Sequence, residues 1–531
     1  MLAGFSVLAI VFILFGVYLR EIQSPEWLQM DTTQHPAALR PWPVEADCYS
    51  QLARVQRILR GQGLIQNHFQ VENWPEGLVP STTAPFDYVI LLLYAPMRLF
   101  TKFPLDWAGA LVSPLLWLAL VAFWLLCRSR TLTRTGRLLL IIGSATLPPL
   151  IWATACGRPR HQSLILFLLA MAFTAEYERW HLDLIPRRAW HIFAGVVWGL
   201  ACWTSLFEPA LLVTLVIVFN LIARRRESPA FLISFGTVVV VALLVEGIHV
   251  FNIFSLSPEY SNALVRWLGT IAEMRGTDFS DFIHPMTLGV LALPFVAWRL
   301  LARDGDRCAD LLLILITTLL IILTAYQRRW IYYASLGELF LIVRYCQSDP
   351  LRWTRLAVLL FFLTGLGVAD VQLIHDVAQG VPANQPSLEL LEISRAIDQP
   401  GGVMAPWWLS PGLLYFSGQP IVSGSSHCGI SGIVDSAKFY TATSWIDAER
   451  ILQKRKVRWV VVMDDRAFVY PVLNVERSIL GLPDYTEDSK TDADSTVWQI
   501  LITGELVPRF LQLHAISPSF KLYEYVPVGE K

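Results

Sequence analysis

Charged side chains are few in this chain. Of 531 residues only 16% are Asp, Glu, Lys or Arg, against about 25% in an ordinary soluble domain. That shortage argues against a purely cytosolic enzyme. The formal net charge is -1, so the basic excess that marks a nucleic-acid binder is missing too. Cysteine is sparse and unpatterned: seven residues with no zinc-ligand spacing. Five of them (Cys127, Cys156, Cys202, Cys308, Cys346) lie in or beside apolar runs, while Cys48 and Cys428 fall in polar stretches and leave a disulfide open. No Walker or Rossmann fingerprint occurs, no G-x-S-x-G elbow, and no internal repeat.

What the chain has instead is apolar length. Hydrophobic residues make up 54% of it and arrive in blocks of about 17 to 23, enough to cross about 30 Å of hydrocarbon. The first block, Ala3 to Leu19, has no basic leader and no cleavage site, and reads as a retained helix. Further spans are expected near 105–127, 138–155, 163–177, 189–206, 209–223, 230–251, 284–302, 308–325, 330–346 and 355–374. The expected fold is therefore a multi-spanning α-helical membrane protein of about 11 transmembrane helices.

Treating Phe86–Phe100 as interfacial or re-entrant puts five arginine groups on the inner side. These are Arg128/Arg130/Arg134/Arg137, Arg179/Arg187/Arg188, Arg224/Arg225/Arg226, Arg299/Arg303/Arg307 and Arg352/Arg355. The outer side then holds the 20–104 loop, the 252–283 loop and the C-terminal part. Residues 1–374 form the membrane domain in this reading, and 375–531 a soluble α/β domain. Within the latter, Ser387–Ile397 and Ala448–Arg455 have helical character. Gly402–Ala405, Pro420–Ser423 and Val457–Val462 read as short strands, and Ser423–Gly432 as a loop.

Five outer-face pieces stand out chemically. Glu45 and Asp47 form an E-x-D pair at the start of an amphipathic segment; Asp47 is placed either to cap that helix or to bind Mg²⁺ or Mn²⁺. Asn73-Trp-Pro-Glu-Gly77 and Pro85-Phe-Asp87 are the second, with turn residues explaining the first run. Thr270-Ile-Ala-Glu273 lies in the 252–283 loop. Arg328 and Arg329 oppose the positive-inside trend, as a phosphate clamp or as interfacial snorkelling. Trp407-Trp408 follows a strand and either walls a cleft or packs a core.

These pieces, in this order, resemble the catalytic subunits of oligosaccharyltransferases, GT-C glycosyltransferases that use polyprenyl-linked glycans. The resemblance spans nearly the whole chain. It implies that Asp47 and Glu273, with Glu45 or His161 assisting, hold a divalent cation, Mg²⁺ or Mn²⁺, at the leaving phosphate. It implies Arg328 or Arg329 on the donor phosphate, and Thr270, Trp407 and Trp408 on the acceptor. Two departures are plain. Gly157-Arg-Pro-Arg160-His161-Gln162 occupies the second acidic motif, and Leu409 replaces the aspartate of W-W-D-Y-G that reads the glycosylation sequon.

The function so implied is a metal-dependent, inverting transfer from a polyprenyl (pyro)phosphate to a protein, lipid or polysaccharide acceptor. It would act at the outer face of a bacterial inner or plasma membrane, without sequon specificity. A non-catalytic binding or assembly protein of envelope glycan synthesis, supported by Arg160, and a transporter are the alternatives. For a transporter the intramembrane candidates are Glu208, Glu246, His249 and Glu338.

Overall fold

The computed structural model describes residues 2–527, apart from 25–26, 32–36, 66–67, 81–82, 130, 181–187, 224–226, 248–257, 279–285, 287–288, 303–306, 349–351, 379–385, 464–468 and 486–494. Arg130, Arg187, Arg224, Arg225, Arg226, Arg303 and His249 are outside the described residues. The chain divides into two compact units. One comprises 1–28, 83–247 and 273–383; the other comprises 29–82, 248–272 and 384–531. The partition differs from the expected 1–374/375–531 boundary because two polar loops pack with the C-terminal residues, a choice that hydropathy along the chain does not encode.

The first unit is helical. Helices occupy each expected span: Leu2–Ile22, Pro104–Leu126, Arg134–Thr146, His161–Arg179, Arg188–Thr204, Phe207–Ile222, Pro229–Glu246, Gly289–Leu301, Arg307–Tyr326, Ile331–Ser348 and Arg352–Ala378. Among the described residues, four are both long and apolar enough to cross a membrane: Pro104–Leu126, Pro229–Glu246, Arg307–Tyr326 and Arg352–His375. Phe86–Phe100 forms a shorter helix, Pro85–Met97. The expected single span 138–155 is broken after Thr146, where Pro148 has no N–H to donate and opens a new turn, Pro148–Ala153.

Small residues let these helices approach closely. A Cβ on Gly195 would stand 2.1 Å from Ser234 Oγ, and one on Gly199 2.7 Å from Val238 Cβ. The spacing of four brings Arg188–Thr204 onto Pro229–Glu246 as small-xxx-small pairs do in lipid. Arg20, fully buried, ties the end of the first helix to its neighbours. Its Nε donates to Thr154 Oγ1 (2.7 Å) and its Nη2 to the Ser144 carbonyl (2.8 Å), over the Trp117 ring.

The second unit is α/β. Its sheet holds β1 (Gly402–Met404), β2 (Val457–Met463), β3 (Leu511–Ile516) and β4 (Phe520–Tyr525) in the order β1-β2-β4-β3. β1 and β2 run parallel, and the β2–β4 and β3–β4 pairs are antiparallel. The apolar run Val457–Met463 is a strand buried on both faces, as its lack of alternation requires. Pro420–Ser423 contributes isolated bridges at Ile421, to Val403 and to Glu72, rather than a strand. The Ser423–Gly432 loop contains a short turn at His427–Gly429, and helix Ile430–Thr441 begins inside it. In the core Tyr440 packs on Trp498 with centroids 4.9 Å apart. Its hydroxyl donates to the Val461 carbonyl (2.7 Å) and lies 3.0 Å from the Met404 carbonyl, between β1 and β2.

Candidate functional site

In the first unit the residues of interest gather at the start of helix His161–Arg179 and around the turn Arg328–Trp330. The 272–277 segment is laid along the end of helix Arg307–Tyr326. Thr277 N donates to the Ala325 carbonyl (3.2 Å), Thr277 Oγ1 to the Thr324 carbonyl (2.7 Å), and Arg328 N to the Arg275 carbonyl (3.0 Å). That fixes Glu273. Its Oε1 accepts Arg160 Nη1 at 2.5 Å, its Oε2 accepts Arg160 Nη2 at 3.0 Å, and Tyr332 Oη approaches Oε1 at 3.4 Å. Both partners are mostly enclosed, at 11% and 14% side-chain exposure, so the bidentate pair is far better shielded than a surface ion pair.

Beside it, Arg329 pairs with the fully buried Glu208, and its Nη1 reaches Met274 Sδ at 4.0 Å. Arg158, also buried, stacks over Trp152 at 3.7 Å. Two carboxylates thus meet Arg160 and Arg329, and Arg158, Arg275 and Arg328 belong to the same segments. Guanidinium groups are the side chains that suit an anion.

Glu273 and His161 are the ligands the resemblance assigns in this unit. Arg160 engages both oxygens of Glu273, and the slot expected to hold carboxylates carries Arg160 and Gln162, the latter offering one neutral amide oxygen. Within the unit no three His, Cys, Asp or Glu side chains among the described residues form a metal-holding group. Two of the acids have structural partners: Glu208 has Arg329, and Glu246 Oε1 accepts Ala84 N (2.7 Å) and Trp203 Nε1 (3.0 Å). Glu338 is fully buried, and neither of its carboxylate oxygens has a hydrogen-bond partner among the described residues.

In the second unit Asp47 lies in the first turn of helix Ala46–Leu59, whose capping position is Glu45 without a side-chain cap bond. Asp47 is therefore not the cap that its sequence position allowed; it is exposed to solvent. Cys48, Leu52 and Val55 bury the opposite face, and Tyr49 packs on Tyr415 and Phe416 of helix Ser410–Ser417. Cys48 and Cys428 are free thiols, so the disulfide left open by the sequence is not formed.

Thr270, Trp407 and Trp408 come together in this unit. Thr270 Oγ1 donates to the Trp267 carbonyl (2.7 Å); Trp267 stacks edge-on against Trp407 (5.5 Å), which does the same against Trp408 (5.6 Å). Neither the Trp267 nor the Trp407 indole N–H, both shielded from solvent, has a hydrogen-bond partner among the described residues. Leu409, buried at the head of helix Ser410–Ser417, offers no side-chain acceptor.

Sequence reasoning missed Glu72. It is buried, its Oε1 accepts Ser426 N at 3.2 Å, and burial pushes its carboxyl up to about 7. The nearby Asp47 charge pushes the same way, while Arg54 and the Ser426 bond pull it down. Flanked by Val71 and Asn73, Glu72 carries no local sequence signal of burial.

No family model matches the chain. Dolichyl-phosphooligosaccharide-protein glycotransferase 2 of Archaeoglobus fulgidus is 29% identical over 99 residues, 18% of this chain and 16% of that protein. The match spans less than a fifth of either. In fold the chain is similar to an A. fulgidus oligosaccharyltransferase. The structure of AglB with an inhibitory peptide and dolichol-phosphate gives TM-score 0.62 at 14% identity over 88% of this chain and 70% of that one. A structure with zinc and sulfate gives 0.60 at 14% identity over the same shares. ArnT from Cupriavidus metallidurans gives 0.50 at 12% identity, over 99% and 98%. The chain thus resembles GT-C glycosyltransferases in architecture, as its motifs imply.

Proposed function

We propose that the protein is a GT-C glycosyltransferase of the bacterial inner membrane, with its 375–531 region outside the cytoplasm. It transfers a sugar or glycan from a polyprenyl phosphate or pyrophosphate to a hydroxyl-bearing protein, lipid or polysaccharide. The observation that carries the reading is the arginine-rich end of the first unit, where Arg160 is held by Glu273 and Arg329 by Glu208 beside Arg328. The fold shared with an oligosaccharyltransferase supports it.

The chemistry follows from the charges. An acceptor oxygen attacks the anomeric carbon opposite the phosphate. The carbon–oxygen bond to phosphate breaks, its electron pair leaves on the phosphate, and the configuration inverts. Arg328 and Arg329 stabilise that charge. The acceptor proton passes to a carboxylate, with Asp47 in this role and Glu45 beside it in sequence. Thr270, Trp407 and Trp408 bind the acceptor, the indole N–H of Trp407 donating to an acceptor oxygen. With leucine at position 409 the site cannot reward a sequon hydroxyl, so its acceptors are not sequons.

The test uses purified protein with lipid-linked oligosaccharides extracted from the host membrane, following release of polyprenyl phosphate or pyrophosphate. Wild type should release it in step with glycan transfer, and Asp47→Asn should slow release by about 100-fold. A wild type that turns over no lipid-linked donor, in a host whose glycans are unchanged by Asp47→Asn or Arg329→Ala, overturns the reading.

A further inference from the structure

We infer that the gap between helices His161–Arg179 and Arg307–Tyr326 is a binding site for an acyl chain of a membrane phospholipid. The inference concerns the first unit alone and needs only that its helices lie in a bilayer. It goes beyond the proposed glycosyl transfer and does not depend on it.

Three observations carry it. Both helices pack on Ile331–Ser348 and, among the described residues, hardly touch each other. Between them lies an open pocket of about 420 Å³, within the roughly 300–1,000 Å³ of small-ligand sites. Its walls are Phe173 and Trp180 from one side, Leu312, Leu313 and Ile316 from the other, and Phe340. Second, the polar residues at the pocket are engaged elsewhere. Glu176 accepts Trp180 Nε1 (3.0 Å), Trp198 Nε1 (2.9 Å) and Arg179 Nη1 (2.6 Å). Tyr177 Oη donates to Gln347 Oε1 (2.8 Å), and Asp310 pairs with Arg344. Burying a polar ligand here would leave its hydrogen bonds unmade, whereas a hydrocarbon chain needs none. Third, the pocket is far from the proposed donor phosphate. Phe173 and Trp180 stand at the end of their helix opposite Arg160, about 20–30 Å away at 1.5 Å per residue. Leu312 and Ile316 are likewise at the end of their helix opposite Thr324 and Ala325, which hold the 272–277 segment.

The occupant follows from the surroundings. Helix Arg307–Tyr326 is long and apolar enough to cross a membrane. Leu315 on this helix is 40% exposed, whereas Leu312 and Ile316, on the pocket side, are each 3% exposed. The helix thus meets hydrocarbon on one side and the pocket on the adjacent one. An empty apolar gap leaves its walls without dispersion partners. Water is a poor filler, because it needs polar partners that these walls do not offer. In a bilayer the molecules at hand are lipid chains, and one that bends in from the exposed side fills the gap. Seated there, it braces two helices whose far ends carry Arg160 and the 272–277 segment.

The experiment places the purified full chain in nanodiscs of phosphatidylethanolamine and phosphatidylglycerol, part of which carries a diazirine at mid-acyl chain. Irradiation and peptide mass spectrometry then locate the crosslinks. Wild type should be labelled at Leu312 and Ile316 as well as at lipid-facing Leu315 and Leu244, the last 80% exposed. Ala309→Phe narrows the pocket, which Ala309 lines, and should cut labelling of Leu312 and Ile316 by at least about fivefold. Leu313→Ala widens it and should leave that labelling level or raise it, a result that misfolding does not mimic. Leu244 should be labelled equally in all three proteins. Crosslinks at Leu315 and Leu244 with none at Leu312, Ile316, Phe173 or Phe340 overturn the inference, and so does undiminished labelling in Ale309→Phe written as A309F. Loss of the Leu312 and Ile316 crosslinks when undecaprenyl phosphate is added in excess also overturns it: the occupant is then a polyprenyl chain, and the proposed function stands.

Discussion

The carboxylate of Glu72 rests directly on the backbone of Gly424: a Cβ added there would stand 2.1 Å from Glu72 Oε1 and 2.4 Å from its Cδ. The glycine makes room for a buried acid that bridges residues 71–74 to the 421–426 loop, through Trp74 N to the Ile421 carbonyl (3.0 Å) and Ile421 N to the Val71 carbonyl (2.8 Å).

Gly424→Ala should therefore displace Glu72 and lower the stability of the second unit by about 1–3 kcal/mol. Chemical denaturation followed by near-UV circular dichroism would read it. Glu72→Ala in the Gly424→Ala background should recover part of the loss, since the clash and the displaced acid vanish together.

Two acids in this unit give a pH dependence of defined sign. Burial raises Glu72 to about 7 and Glu476 to about 8 from an ordinary 4.5. A raised folded-state value means the native state favours the protonated form. The stabilisation is complete below about 4.5 and is lost as pH rises through 7 and then 8. Melting temperature should fall across that window, and Glu476→Gln should flatten its upper part. A melting temperature that rises from pH 6 to 9 would contradict both assignments.

Arg455 joins segments far apart in sequence while only 1% exposed: its Nε donates to Asp435 Oδ2 (2.7 Å), and its Nη1 reaches the Trp74 carbonyl (3.3 Å) and pairs with Glu76. Arg455→Met should cost about 3–5 kcal/mol, because Asp435 stays buried with only the half-exposed Lys454 beside it. Arg455→Met with Asp435→Leu should cost much less than the single change, measured by the same denaturation.

Trp407→Phe keeps an aromatic ring against Trp267 and Trp408 but removes the indole N–H. If that donor meets the acceptor, the variant should raise acceptor KM by about tenfold. Binding of undecaprenyl phosphate should stay as in wild type. An unchanged acceptor KM would reduce Trp407 to packing.

Much of this was legible in the residues themselves. Long apolar runs must become helices in lipid, where each backbone N–H and C=O needs an internal partner, and helices stand at each expected span. Val457–Val462 betrayed a buried strand by its lack of alternation. The partners of charged groups were not legible. Arg160 looked like a lost ligand, yet its role depends on Glu273, more than a hundred residues away. Glu72 gave no motif at all; only the fold of 421–426 over it makes it a buried acid.

The sequence by itself determined that this is a membrane helix protein carrying acids and arginines at chosen places, because hydropathy and residue type are local properties. Tertiary structure alone decided which loops join which unit, that Asp47 sits in a helix's first turn while Glu45 takes the cap position, and that Glu273 holds a guanidinium. Ion pairing depends on angstrom-scale approach between distant segments, and no pattern along the chain records that distance.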